Sequence, residues 1–304
     1  MADGRFAPSP TGRLHLGNLR TALLAWLFAR SSGGRFLVRM EDLDAGSVRA
    51  EHYDGQLDDL RALGLDWDGA VVRQSERRSR YDRAIARLVD LDLTYPCYCT
   101  RREIQEAASA AHGDPMPDGA YPGTCRALTA SERVAREAAG RRPALRLRAE
   151  PGLVVSFVDR LHGRVSAVVD DVVLRRGDGT PAYNLAVVVD DAAQGVAEVV
   201  RGDDLLLSTP RHVHVASLLG LTVPSYAHVP LVLGVDGARL AKRHGAVTLG
   251  DRAARGETPD DVRSLLACSV GLASPGERVS MSTLLARFDP AALPRDPWVF
   301  PEIG

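Results

Sequence analysis

Residues 5–40 admit one kind of folding unit. Arg5-Phe6-Ala7 has strand character and runs into a loop rich in proline and glycine. Leu16, Leu19, Leu23, Trp26 and Leu27 then recur at helical spacing, Gly33-Gly34 stops the run, and residues 35–40 are strand-like again. Strand, helix and strand at this spacing form a right-handed crossover between parallel strands. The predicted fold class is therefore α/β.

The same reading places helices at 48–63, 77–91 and 209–219, and strands at 145–148, 154–158 and 172–175. The last strand is followed by the hairpin signal Gly177-Asp178-Gly179. Apolar runs at 185–189 and 199–201 have buried α/β character. Residues 92–145 break the alternation with Cys97, Cys99, Cys125, a Gly/Pro-rich loop at 113–123 and an arginine-rich helix. Four segments are expected. Residues 1–91 form the first half of a sheet domain, 92–184 an inserted subdomain and 185–250 the second half of the sheet domain. Residues 251–304 form a short helical segment, whose first helix opens with Thr258 as cap and Pro259 in its first turn.

A net charge of −1 excludes a global basic surface. Two local stretches, 73–87 and 126–148, are rich in arginine and read either as solvated helix faces or as phosphate contacts. Four cysteines in 304 residues make no disulfide framework, so a reducing cytoplasm is expected. No signal peptide or membrane-spanning stretch is present in the sequence.

One lysine stands among the 38 lysine and arginine residues. In a chain that uses arginine wherever charge alone suffices, Lys242 marks a place for a compact, mobile ammonium. It lies in the basic string Arg239-Leu240-Ala241-Lys242-Arg243, between Gly237 and Gly245. The second phosphate-type element is Pro8-Ser9-Pro10-Thr11-Gly12-Arg13-Leu14-His15-Leu16-Gly17-Asn18, a strand-to-helix turn. There the helix N-terminus offers unpaired N–H groups and the positive end of a dipole. His15 is a donor to phosphate, and Gly17, lacking Cβ, permits close approach of a base or ribose.

This string resembles the His-x-Gly-His signature of class I aminoacyl-tRNA synthetases, here His15-Leu16-Gly17-Asn18. The basic string resembles their Lys-Met-Ser-Lys-Ser loop, with the first lysine and both serines replaced. Residues 5–12, 39–44, 183–191 and 200–204 resemble glutamyl-tRNA synthetases more closely, and the likeness spans most of residues 5–250. The resemblance implies a Rossmann-type parallel sheet split by an inserted subdomain. It implies His15, Asn18 and Lys242 as catalytic residues. It implies ATP contacts from Pro8, Ser9, Pro10, Thr11, Gly12, His15, Gly17, Asn18, Arg239, Lys242 and Arg243, with Mg2+ beside the triphosphate. L-glutamate would be held by Arg5, Tyr183 and Arg201 at its side-chain carboxylate and by Ser9 and Glu41 at its α-groups. An arginine fork suits a carboxylate and rejects an amide, whose donors would face donors.

Cys97, Cys99 and Cys125 are one ligand short of a tetrahedral zinc site. His112 and Tyr121 are both open as the fourth ligand, and buried thiols are the alternative to a metal. The family's short paralogues, which act on queuosine, carry a Cys-x-Cys…Tyr-x-x-x-Cys zinc site, so the resemblance implies Cys97, Cys99, Tyr121 and Cys125 holding one structural Zn2+. Cys268 is expected to be a core residue.

A full glutamyl-tRNA synthetase continues past its lysine loop into a helical anticodon-reading region, for which residues 251–304 are too few. The expectation is the short paralogue's activity. Glutamate would be activated by ATP without tRNA, then transferred to queuosine in the anticodon of tRNA(Asp), by a monomer with no membrane contact. The alternatives are charging of a tRNA 3′ end and a tRNA-binding regulatory role. An intact amino-acid pocket speaks against the latter.

Overall fold

The computed structural model describes residues 1–110, 121–245 and 247–301. Strands β1 (Gly4–Phe6), β2 (Phe36–Met40) and β3 (Val72–Arg73) are joined by helices α1 (Leu16–Ser31) and α2 (Ala50–Ala62). Helix α3 (Arg78–Asp90) leads into β4 (Thr94–Cys97) and α4 (Arg101–Ala110), and α5 (Ala130–Ala138) precedes β5 (Ala144–Leu147). Then come β6 (Val154–Asp159), β7 (Gly163–Val168), β8 (Val173–Arg175), α6 (Tyr183–Gln194), β9 (Glu198–Gly202), α7 (Thr209–Leu219) and β10 (Ser225–Val229). The chain continues through β11 (Val232–Leu233), α8 (Leu249–Ala253), α9 (Pro259–Ser269), α10 (Met281–Arg287) and β12 (Trp298–Val299), which pairs with β11.

The large sheet has the order β3-β2-β1-β9-β10-β6-β7. Every neighbouring pair is parallel except the β6–β7 hairpin. Successive strands leave β1 in one direction through β2 and β3, and β9 and β10 continue on its other side. The order reverses between β1 and β9, and open α/β sheets bind ligands in the crevice beyond the strand C-termini at such a reversal.

Helix α1 lies against β1, β2 and β9. Its buried residues, from Leu16 to Ala29, surround most of the helix, so it is an internal element without a broad solvent face. Its small side chains let the strand approach: a Cβ on Gly4 would stand 3.1 Å from the Ala29 Cβ. A second core joins α3, α6 and α7 through Tyr81, Leu88, Leu185 and Val215. The run at 185–189 is thus the buried length of a helix. The cap at α9 is as expected: Thr258 accepts from the Asp261 N–H, and Asp261 closes the box.

Residues 92–184 divide between two sheets. β4, β5 and β8 form a three-stranded antiparallel sheet of their own, while β6 and β7 extend the large sheet beside β10. The hairpin is local in sequence, but the parallel edge that receives it comes from residues 225–229, which strand periodicity cannot indicate. Among the described residues no helix is long and apolar enough to cross a membrane.

Candidate active site

A cleft of about 540 Å³ opens at the C-terminal ends of β1 and β9, where the strand order reverses. It gathers Arg5, Pro8, Ser9, Thr11, Gly12, His15, Gly17, Asn18, Glu41, Tyr183, Arg201 and Arg239. Pro10 is buried behind the loop, and exposed Arg243 turns to Asp236 at 3.5 Å, outside the lining. The backbone of Lys242 opens a 3-10 turn, Lys242–His244, three residues beyond Arg239.

The loop at 8–12 is held from outside the cleft. Gln56 on α2 donates to the Ser9 and Gly12 carbonyls at 3.0 and 2.7 Å, and the Glu41 N–H donates to Pro8 O at 2.9 Å. Gly12 keeps an ordinary φ, and a Cβ there meets nothing within 4 Å. The turn therefore does not require this glycine on steric grounds. A side chain would enter the space left for a ligand.

The α1 N-terminus is more occupied than the sequence implied. The Leu16 N–H donates to Val247 O at 2.7 Å, docking the second loop on the helix start. The Asn18 N–H donates to His15 Nδ1 and the Asn18 Oδ1 accepts from the His15 N–H, both at 3.2 Å, so the two residues form a capping box. Among the described residues Gly17 N–H is left without an acceptor. Burial, helped by the charge of Arg239, brings the His15 pKa down to about 4. At neutral pH the ring is uncharged, accepts at Nδ1 and presents a donor at Nε2. Gly17 leaves room for this ring, since a Cβ would stand 3.0 Å from its Cε1 and Nδ1. Gly17→Ala is expected to push His15 from its cap. It should lower stability by roughly 1 kcal/mol and raise KM for ATP about tenfold. Thermal denaturation and ATP titration check this; an unchanged KM would detach His15 from the nucleotide.

Arg5, Arg39 and Arg77 face Asp190, Asp191 and Glu41, three cations against three anions. Arg5 Nε lies 3.2 Å from Asp191, Arg39 Nη1 2.8 Å from Asp191, Arg39 Nη2 3.4 Å from Glu41, and Arg77 Nε 2.6 Å from Asp190. Burial would raise the Asp191 pKa, but Arg5 and Arg39 outweigh it and hold it at about 2. Burial raises the Glu41 pKa, with Arg39 and Arg5 opposing. Arg201 differs. It is 6% exposed, and among the described residues no carboxylate lies within 4 Å of it. Its partners are Tyr183 OH at 3.3 Å, His228 Nε2 at 3.1 Å, Thr209 Oγ1 at 2.6 Å and His212 Nδ1 at 3.1 Å. The sequence reading singled out Arg5, Glu41 and Arg201 but not Asp191, His212 or His228. The available signal was the acidic pair Asp190-Asp191 closing an apolar helical run, since buried carboxylates demand cations.

The cysteines meet at the end of β4. The three sulfurs of Cys97, Cys99 and Cys125 lie within 4.8 Å of one another. The Cys99–Cys125 separation is 3.4 Å, too long for a disulfide. Tyr121 OH is 3.3 Å from Cys97 Sγ and 3.7 Å from Cys99 Sγ. In a tetrahedral zinc site sulfurs stand about 3.8 Å apart and a ligand oxygen about 3.5 Å from each sulfur. The three thiols thus form a cluster that could hold a metal ion, with the Tyr121 hydroxyl beside it; His112 lies outside the described residues. Arg146 covers the Tyr121 ring at 3.7 Å, and the Tyr121 N–H is anchored on Asp170 at 2.9 Å.

The sequence matches the family model of class I tRNA synthetase (E and Q) catalytic domains over residues 2–276. It is 64% identical to the glutamyl-Q tRNA(Asp) synthetase of Nocardia farcinica, across 99% of this chain and 94% of that one. It is 50% identical to the protein of the same name from Symbiobacterium thermophilum, across 98% and 95% of the two chains. The structure is similar to that of a glutamate tRNA ligase from Elizabethkingia meningosepticum in complex with its amino acid. The TM-score is 0.83 at 27% identity, covering 99% of this chain and 67% of that one.

Proposed function

The chain belongs to the class I tRNA synthetases of the glutamate and glutamine type, and from that premise we propose that it activates L-glutamate with ATP and transfers it to queuosine in the anticodon of tRNA(Asp). The observation that carries the amino-acid half is Arg201, a buried cation with no carboxylate partner among the described residues, on the wall of a cleft that also holds Glu41. The names of the relatives support the acceptor.

In the first step an oxygen of the glutamate α-carboxylate attacks the α-phosphorus of ATP, and pyrophosphate leaves with the electrons of the broken P–O bond. Mg2+ with the triphosphate supplies charge neutralisation. Ser9 and Glu41 would orient the α-groups, with Arg5, Tyr183 and Arg201 at the side-chain carboxylate. His15 would donate from Nε2 to a phosphate oxygen, while the Lys242 ammonium follows charge onto the leaving pyrophosphate. In the second step a hydroxyl of the queuosine cyclopentenediol attacks the glutamyl carbonyl carbon and AMP departs with its bonding electrons. The hydroxyl proton passes to solvent or phosphate.

Which arginines could meet RNA phosphates is narrowed by what the others touch. In the first stretch Arg73 lies over the Tyr53 ring, Arg77 pairs with Asp190 and Arg78 donates to Gly179 O. Exposed Arg80, Arg83 and Arg87 have no partner among the described residues. In the second stretch Arg126 pairs with Asp171, Arg141 with Glu103, and Arg146 is buried. Phosphate contact is assigned to the free set on α3 together with exposed Arg142, which likewise has no partner among the described residues.

Cys97, Cys99, Tyr121 and Cys125 would hold one Zn2+, whose role is to pin the segment between β4 and α5. Protein purified without chelator is expected to contain about one zinc per chain. Less than about half an equivalent by elemental analysis would remove the metal from the account. Activation itself is tested by glutamate-dependent pyrophosphate exchange in the absence of tRNA; exchange at background until tRNA is added would contradict it.

A further inference from the structure

We infer that His212 and His228 are specificity-determining positioning residues. They hold the Arg201 guanidinium through neutral acceptors, leaving its charge uncompensated so that only a substrate anion completes the pocket. The inference rests on the proposed glutamate site.

Arginine is a donor at every nitrogen, so whatever holds it must accept. Arg201 Nε donates to His228 Nε2, and Nη2 donates to His212 Nδ1. Each imidazole is set to accept by what its other nitrogen meets. His228 Nδ1 lies 2.7 Å from Asp159 Oδ2. Asp159 also receives the N–H groups of Leu161, His162 and His228. A carboxylate accepts only, so the proton sits on Nδ1, and the accepting Nε2 faces both Arg201 Nε and the Thr209 hydroxyl, the latter at 2.9 Å. His212 Nε2 lies 2.9 Å from Asn184 Oδ1, which puts the proton on Nε2 and leaves Nδ1 for Arg201. Both rings are buried, at 1% and 0% exposure. Burial and the Arg201 charge both keep His212 neutral.

Arg5 provides the contrast within the same cleft. Its charge is already met by Asp191 at 3.2 Å, so its attraction for an incoming anion is reduced. A carboxylate at position 212 or 228 would grip Arg201 more firmly than an imidazole, yet it would cancel the charge that tells a carboxylate from an amide. Histidine supplies geometry without charge. Of the five guanidinium N–H groups, four are engaged by Tyr183, Thr209, His212 and His228. The fifth is on Nη1, the nitrogen next to the half-exposed Tyr183 of the cleft wall.

His212→Asp places a carboxylate against Arg201, whereas His212→Asn keeps an accepting oxygen near the Nδ1 position without charge. Pyrophosphate exchange is measured with glutamate and with glutamine, alongside KM for ATP and thermal denaturation. His212→Asp is expected to raise KM for glutamate roughly 10²-fold, to shift the preference toward glutamine at least tenfold, and to leave KM for ATP within about twofold. His212→Asn is expected to keep glutamate KM within about fivefold of wild type, with the selectivity intact. A folded His212→Asp enzyme with unaltered glutamate KM and selectivity would overturn the inference, as would a His212→Asn enzyme equally impaired. If His212→Asp does not fold, Thr209→Asp puts the same charge against Arg201 Nη2 and is read the same way. Wild-type enzyme without glutamate-dependent exchange overturns the proposed function and this role together. Wild-type exchange with unresponsive variants overturns this role alone.

Discussion

Replacing Arg201 by alanine is expected to lower kcat/KM for glutamate by roughly 10²- to 10³-fold, while KM for ATP changes little. Removing one partner of a buried charge pair costs about 3–5 kcal/mol, because the remaining charge is left desolvated. Here that charge is the side-chain carboxylate of glutamate. The guanidinium also serves Tyr183, Thr209, His212 and His228, so the variant loses donors to several buried acceptors and should melt at a lower temperature. Activity is therefore compared well below the melting transition. Exchange kinetics at varied glutamate check the expectation. Retained selectivity for glutamate over glutamine would remove Arg201 from the substrate.

Lys242→Arg is expected to lower turnover roughly 10²-fold with a smaller change in ATP affinity. The substitution conserves charge, so a purely electrostatic anchor would tolerate it. An ammonium on a four-carbon stem can follow charge as it moves onto the leaving pyrophosphate, and a planar fork with fixed donor directions cannot do so equally well. Three neighbouring basic or polar contacts are already committed. Arg239 is tied to Asp204 at 2.7 Å, Arg243 to Asp236 at 3.5 Å, and His244 Nδ1 to the Ala241 N–H at 2.9 Å. Single-turnover adenylate formation checks this, and near-normal turnover would make the lone lysine an accident of composition.

Local chemistry made much of the fold legible. The β1–α1–β2 unit, α7 and the Thr258 cap follow from periodicity and capping residues, which act within a few positions. The destination of the β6–β7 hairpin did not follow, because its partner β10 lies some 60 residues on and strand patterns carry no address. At the site, the residues that line the cleft were legible through whole strings, Pro8 to Asn18 above all. What stands behind them was not. In the sequence His212 follows Arg211 in a helical run and His228 stands between Ala227 and Val229 in a strand, and only three-dimensional proximity shows that their lone pairs converge on one guanidinium. Likewise His15 and Asn18 read as catalytic residues in the string, while the structure also makes them each other's cap. A helix start that spends N–H groups on its own chain has fewer for a phosphate.

The central claim concerns the acceptor, and glutamylation of tRNA(Asp) with and without queuosine tests it most directly. The enzyme is incubated with ATP, Mg2+, labelled glutamate and either form of tRNA(Asp) or tRNA(Glu), each with its 3′ end intact or blocked by removal of the terminal adenosine, which leaves the cyclopentenediol untouched. The account predicts label on queuosine-containing tRNA(Asp) irrespective of a blocked 3′ end, and background label on tRNA(Asp) lacking queuosine and on tRNA(Glu). Equal labelling of tRNA(Asp) without queuosine, or label lost whenever the 3′ end alone is blocked, would contradict it.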